Sequence, residues 1–223
     1  MDAIKLCTPL TDALSRRFRV VLASGSPRRK DLLDRLGIVY EIVPSGFAED
    51  LDKAQFASAG DYVLENATQK AHDVYRRIKD GSTRPLFVIG ADTVVVNASG
   101  AILEKPASRE DAAATLKAMG GKTNTVHTGV CLIVDGDTAG GSSQPQLATA
   151  IESTEVQFGQ LDDALVDAYV ATGEPMDKAG SYAYQSLACF FVEGIRGDHY
   201  NVVGFPCARF YQMLRALHGQ GAI

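Results

Sequence analysis

The order of hydrophobic patterns predicts an α/β protein with a mixed, partly antiparallel sheet flanked by helices. Short β-rich runs and amphipathic helical stretches interleave along the chain without strict alternation. In addition, two long strand-rich segments, 124–135 and 147–158, follow one another with no helix between them, as an antiparallel pair requires.

The elements follow in order. Residues 1–17 read as an N-terminal extension, loose or lightly docked, because Asp2 and Asp12 interrupt its basic residues and its apolar content is thin. Residues 18–23 form a short β-branched run, a buried strand stopped by Ser24-Gly25-Ser26-Pro27. Ser26 stands as the N-cap of a helix with Pro27 in its first position, Leu32, Leu33 and Leu36 on its apolar face and Gly37 closing it. A strand is expected over 39–43. Over 60–80, Leu64, Ala67, Ala71, Val74 and Ile78 recur in steps of three and four, which marks an amphipathic helix. Residues 86–89 read as a central strand ending at Gly90-Ala91-Asp92-Thr93, with an extended run over 94–96 and a hairpin-like turn over 97–100. Ser108 with Asp111 resembles a capping pattern for a helix that runs to Met119 and stops at Gly120-Gly121. The polar, Gly/Ser-rich connector 136–145 reads as an exposed hairpin loop. A helix over about 161–171, an irregular Gly/Pro stretch, a strand over 189–192 and a helix over 205–217 complete the chain. Domain organisation follows as the extension 1–17, one domain over 18–218 and a tail over 219–223.

Composition narrows the function classes. Of 223 residues, 22 are Lys or Arg and 27 Asp or Glu, a net charge of −5 that argues against general nucleic-acid binding. With 46% hydrophobic and 22% charged residues the chain is of ordinary globular type. No apolar run approaches the roughly 18 residues of a membrane span, and the first residues lack a signal-peptide core, so a soluble, cytoplasmic protein without a membrane partner is expected. Cys7, Cys131, Cys189 and Cys207 show no ligand or CxxC spacing and read as reduced, mostly buried thiols. Walker A, GxGxxG, HExxH and GxSxG patterns are all missing.

Three features carry chemistry. Residues 23–30, Ala-Ser-Gly-Ser-Pro-Arg-Arg-Lys, put three cations into the first turn of a helix, the wrong sign for its dipole. A bound phosphate would resolve the conflict, with hydroxyls and N–H groups from Ser24 and Ser26 and bidentate grips from Arg28 and Arg29. The alternative is a solvated charge run paired with Asp31 and Asp34. Asp92, at the end of an apolar strand, suits Mg²⁺ binding or a general base, against a plain turn role. The third is 173–182, too rich in Gly and Pro for a regular element yet charged and aromatic enough to line a cleft. Lys70 borders an apolar helical stripe, where it snorkels or meets an anion. Lys105 is similarly ambiguous, since a surface turn before a helix explains it without any function, and Glu49 reads as a second metal carboxylate or as loop solubility.

Taken together, these residues resemble the Maf (septum-formation) family of nucleoside triphosphate pyrophosphatases. The matching pieces are residues 22–29, Gly90-Ala91-Asp92-Thr93, Leu103-Glu104-Lys105-Pro106, residues 173–180 and Asn201-Val202-Val203-Gly204-Phe205-Pro206, in family order. The resemblance implies an elongated two-lobed, inosine-triphosphatase-like architecture around a central cleft, often as a homodimer. It also implies hydrolysis of a nucleoside triphosphate between its α and β phosphates, with a divalent cation such as Mg²⁺, Mn²⁺ or Co²⁺. On this resemblance Asp92 is the proton acceptor, Glu49 and Asp92 are metal ligands, and Ser24, Arg28, Arg29, Lys70 and Lys105 surround the triphosphate. Arg28, Thr93 and Gln185 match the positions that set specificity in the dTTP/UTP subgroup. Two alternatives stand beside this reading: a nucleotide-binding regulator of cell division with incidental hydrolysis, and the same chemistry on 7-methyl-GTP.

Overall fold

The computed structural model describes residues 5–136 and 144–223. In chain order the helices are α1 (Pro9–Arg17), α2 (Pro27–Arg35), α3 (Ala59–Ile78), α4 (Arg109–Met119), α5 (Asp163–Ala171), α6 (His199–Val203) and α7 (Cys207–Gly219). The strands are β1 (Arg19–Leu22), β2 (Glu41–Ile42), β3 (Leu86–Val96), β4 (Ile102–Leu103), β5 (Thr123–Asp135), β6 (Gln146–Phe158) and β7 (Val192–Arg196). They form one sheet in the order β2-β1-β3-β5-β6-β7, with β4 on β3. Pairing is parallel from β2 through β1 to β3 and antiparallel from β3 onward, so the mixed α/β sheet expected from the sequence is present.

Alternation along β3 sorts the core to the two faces of the sheet. Phe87 and Ile89 pack with Leu22, Leu33, Leu132, Phe205 and Phe210 beneath α2 and α7. Val88 meets Val21, Ala71, Val74 and Ile133 beneath α3. Past the middle of β3 a separate cluster gathers Val95, Leu116, Met119, Val156, Phe158 and Phe191 around α4 and α5. The cavity described below lies between these cores.

Helix α3 reaches the sheet through two glycines. A Cβ on Gly90 would lie 2.3 Å from the Ala67 carbonyl oxygen, and one on Gly129 would lie 2.6 Å from Leu64 Cα. Gly129 is the cross-strand partner of Asp92. The glycines therefore do more than allow packing: they bring the α3 backbone down beside the Asp92 carboxylate.

Several expectations are corrected. Asp92 is not at a strand end, because β3 runs unbroken through it and pairs with β5 from Leu86 to Val96. The small residues Gly90 and Ala91 mark a close helix contact here, not a turn. The strand expected over 39–43 shrinks to Glu41–Ile42, since β2 is an edge strand whose pairing ends with β1; Val39 is 74% exposed. The strand expected over 189–192 lies later, at Val192–Arg196, after a 3-10 turn at Leu187–Phe190. The segment before residue 18, expected to be loose or lightly docked, carries α1, which is capped by Thr8 and buries Leu14 in the main core. The thiols are not mostly buried. Only Cys131 is, and burial pushes it up to about 11, while Cys7 and Cys189 are exposed. The connector read as an exposed hairpin loop falls largely on residues 137–143, outside the described residues. Among the described residues no helix is long and apolar enough to cross a membrane.

The glycine contacts predict an asymmetric response to added methyl groups. Gly90→Ala and Gly129→Ala each meet backbone atoms and should lose about 3 kcal/mol in urea unfolding. Gly194→Ala in β7, with nothing within 4 Å of the new atom, should stay within about 0.5 kcal/mol of the parent.

Candidate active site

The site opens where β1 leaves the sheet. The Ala23 N–H donates to the Ile89 carbonyl at 2.8 Å, and the chain then turns away through Ser24, Gly25 and Ser26 into α2. On that side β3 meets no strand again until Val95, which pairs with β4. Neighbouring side chains on a strand face opposite ways, so Asp92 points toward α3 and Thr93 toward α2. A cavity of about 910 Å³ wraps round this open edge and takes in both.

On the α3 side, Lys70 is the centre. Its Nζ donates to Asp92 Oδ1 at 2.8 Å and lies 2.7 Å from Glu49 Oε2. The side chains of Lys70 and Asp92 are only 9% and 12% exposed, so this is a partly desolvated pair, less screened by salt than a surface ion pair. Of the two expectations for Lys70, the anion holds and snorkelling does not: it is held between two carboxylates of the chain itself. Glu49 sits in an irregular loop at φ 56, a left-handed conformation that costs a residue with a Cβ and keeps its carboxylate turned to Lys70.

On the other side, Arg29 is buried. It donates from Nε to the Gly204 carbonyl at 3.0 Å, from Nη1 to Ser24 Oγ at 3.1 Å and from Nη2 to Thr93 Oγ1 at 3.2 Å. Burial lowers its pKa from the ordinary value, and the Asp92 charge opposes the shift; a guanidinium still remains charged. Thr93 Oγ1 lies 2.9 Å from Thr128 Oγ1, so a hydroxyl pair braces the guanidinium from behind. Gly204 follows α6 at φ 119, a conformation that favours glycine and aims its carbonyl at Arg29.

The three cations of the first α2 turn have three fates. Lys30 bonds Asp34 at 2.7 Å, as the solvated-charge reading expects. Arg29 turns inward, and Arg28 lines the cavity with no ion pair among the described residues. Ser26 occupies the N-cap but makes no side-chain capping bond; its N–H donates instead to Ser24 Oγ at 3.2 Å. No acid lies in the first turn of α2, so the positive end of the helix faces the cavity unopposed.

Lys105 and Gln185 also line the cavity. All nine residues singled out in the sequence thus surround one space: Ser24, Arg28, Arg29, Glu49, Lys70, Asp92, Thr93, Lys105 and Gln185. The stretch 173–182 contributes Glu174, Asp177, Lys178, Ala179 and Tyr182 to the wall. Sequence reasoning missed Tyr62, whose only signal is that it stands two turns before Lys70 on the same face of α3. Glu104, which pairs with Lys53, was quoted only as part of a motif.

Glu49 and Asp92 are of the donor type that suits a hard divalent cation, and in this structure both direct a carboxylate oxygen at Lys70 Nζ. Among the described residues no group of three or more His, Cys, Asp or Glu forms a ligand cage. A cation here would need oxygens from water or a phosphate to complete its shell, which is how Mg²⁺ is commonly held.

The Arg29 fork yields a stability test. In Arg29→Lys the charge remains, but a single ammonium cannot reach the Gly204, Ser24 and Thr93 oxygens together. Urea unfolding should show a loss of about 2 kcal/mol.

The model of the Maf family, described as "Maf-like protein", matches residues 19–217. A human protein named "Probable bifunctional dTTP/UTP pyrophosphatase/methyltransferase protein" is 43% identical over 218 residues, which cover 96% of this chain and 34% of that protein. This chain therefore spans about a third of the human relative's length. A dTTP/UTP pyrophosphatase of Thermococcus kodakarensis is 44% identical over 187 residues, covering 84% of this chain and 90% of that one. One from Bacillus anthracis is 41% identical over 197 residues, covering 88% and 94%. Among solved structures, a HAM1 protein from Coxiella burnetii aligns at a TM-score of 0.43 and 14% identity over 91% of this chain and 99% of that one. With the family model spanning nearly the whole sheet and every motif that builds the cavity, the chain belongs to the Maf family.

Proposed function

We propose that the chain is a nucleoside triphosphate pyrophosphatase that hydrolyses dTTP and UTP to the nucleoside monophosphate and pyrophosphate, clearing excess or modified pyrimidine triphosphates. One observation carries the reading: a buried Asp92–Lys70 pair, joined by the exposed Glu49, stands across the open edge of β3 from Arg29 and the N-terminus of α2, within a single cavity. That arrangement pairs a proton acceptor with a cradle for a chain of phosphates. The names of the human, Thermococcus and Bacillus relatives support the same substrates.

In this reading the triphosphate lies along the cationic wall. Arg28, Arg29 and Lys105 neutralise its charge, and Ser24 and the first N–H groups of α2 bind its oxygens. Water attacks phosphorus at the α–β linkage, its proton passes to the Asp92 carboxylate, and pyrophosphate leaves. Lys70 fixes the orientation of Asp92 by holding Oδ1. A divalent cation, Mg²⁺, Mn²⁺ or Co²⁺, held by Glu49 and Asp92 would supply polarisation of the attacked phosphoryl group and further charge neutralisation. Gln185 reads the pyrimidine edge, since an amide offers both a donor and an acceptor. Thr93 acts through Arg29, because its hydroxyl is already engaged there. The same proposal takes in a cytoplasmic homodimer with no nucleic-acid or membrane partner, and the net charge of −5 supports the nucleic-acid part of it.

Pyrophosphate release from dTTP and UTP with Mg²⁺ or Mn²⁺ tests the assignment. Asp92→Asn should lower turnover by about 1000-fold while calorimetry still detects nucleotide binding. Full activity in that variant would remove Asp92 from the chemistry. Tight binding by the parent protein without turnover would favour a binding role instead. Chelation of divalent cations should abolish turnover and leave the unfolding midpoint nearly unchanged, because the described carboxylates are already paired with Lys70.

A further inference from the structure

Gln185, assigned above to the base edge, stands on a tight turn. It takes the third position of the four-residue turn 183–186, which the Ser186 N–H closes by donating to the Ala183 carbonyl at 3.0 Å. Gln185 is exposed, and a flexible amide on an exposed turn reads a base edge only as well as its backbone is held.

Both ends of that turn are tied to a single carboxylate. At one end Ser186 Oγ donates to Glu174 Oε2 at 2.5 Å. At the other the Ala183 N–H donates to the Tyr169 hydroxyl at 3.1 Å, and that hydroxyl donates to Glu174 Oε1 at 2.9 Å. Every bond in the chain runs toward the acid, and an ionised carboxylate accepts at both oxygens. Burial, and after it the bond to Glu174, pushes the Tyr169 phenol above its ordinary pKa, so it keeps the proton that it donates. Tyr169 stands behind the wall on α5, buried, with its ring edge-on to Phe191 at 4.7 Å between centroids. Glu174 is half-buried, lines the cavity beside Ala183, Gln185 and Ser186, and donates its own N–H to Thr172 Oγ1 at 3.1 Å.

A carboxylate in this place is more than packing requires. An apolar side chain would hold the turn against the α4–α5 core without desolvating a charge. Hydrogen bonds to an ionised acceptor are about twice as strong as neutral ones, and they fix direction as well as distance. Here two of them hold the turn that presents Gln185 to the cavity.

We propose that Glu174, together with Tyr169, is a positioning residue for base recognition. Its carboxylate fixes the 183–186 turn through Ser186 and Ala183, and so sets where the Gln185 amide meets a pyrimidine edge. The inference rests on the triphosphate reading above and deepens it. Glu174 acts only through Gln185 in this scheme and touches no part of the nucleotide.

A double-mutant cycle with Gln185→Ala tests this. Tyr169→Phe deletes the link behind the wall, and Glu174→Gln puts N–H groups where an acceptor stood. In each, KM for UTP and dTTP should rise about tenfold, with kcat changed by less than about twofold. Inhibition by inorganic tripolyphosphate, which has no base, should be unchanged. In the Gln185→Ala background neither substitution should raise KM further. Without any ligand, amide exchange at Ala183 and Ser186 should quicken about tenfold in both variants. Unchanged KM or unchanged exchange overturns the proposal. Effects that add to that of Gln185→Ala overturn it too, since Glu174 would then meet the nucleotide directly, and so does a parallel loss of tripolyphosphate inhibition. Should Tyr169→Phe fail to fold, Ser186→Ala removes a single exposed hydroxyl and should raise KM about threefold with the same non-additivity. If the parent turns over no triphosphate, the reaction reading fails by itself. UTP affinities measured by calorimetry around the same cycle then decide the role of Glu174.

Discussion

Helix α3 lies closer to the sheet than any side chain on β3 or β5 would permit at Gly90 and Gly129, and the rest of the site is set out from that contact. With two glycines beneath it the helix sinks until the Ala67 carbonyl and the Leu64 backbone rest on the strands. Lys70, one turn further along, then reaches Asp92. A lysine has several rotatable bonds, but a buried ammonium needs near partners, and this close packing supplies Asp92 while the Glu49 loop supplies the second. Val63, Ala67, Ala71 and Val74 fill the same interface with small or branched side chains. The packing energy of an ordinary helix–sheet contact is thus used to hold a charged pair in place.

Charge in the site is balanced in two separate layers. Lys70 joins two carboxylates on the α3 face, and Arg29 is held by neutral oxygens of Gly204, Ser24 and Thr93 on the α2 face. Arg29 therefore keeps its positive charge free to act on whatever enters, and Arg28, Lys105 and the helix end add to it. An anionic ligand meets a field already assembled. The open edge of β3 makes both layers accessible from one space, since adjacent residues of a strand address opposite faces.

Much of the fold was legible because its signals are local. The Ser26-Pro27 start of α2, the three-and-four spacing of α3, the Ser108 cap of α4 and the paired strands β5 and β6 are all present where periodicity and capping put them. Failures came where neighbours decide. Gly90 in a sequence looks like a strand terminator, but here it marks a helix approaching from 23 residues earlier in the chain. The two-residue β2 was overread because Val39, Tyr40 and Val43 have strand-forming side chains but no second strand to pair with. The opposite error hid α1, whose weak apolar pattern conceals a Leu14 that docks into the main core.

For the site, the sequence by itself determined which residue types were available and that cations of the wrong sign for the helix dipole crowd the α2 N-terminus, because a helix end and its first-turn charges are contiguous in the chain. It also singled out Asp92, Lys70 and Glu49, but it left the two ambiguous cations to be decided by family resemblance. Only the tertiary structure decided that Lys70 binds both carboxylates and that Arg29 turns inward while Lys30 turns out to Asp34. The physical reason is that burial and pairing are properties of the space between elements. Glu49, Lys70, Asp92 and Gly204 come together through the sheet order, and sheet order depends on contacts between segments that local pattern does not encode.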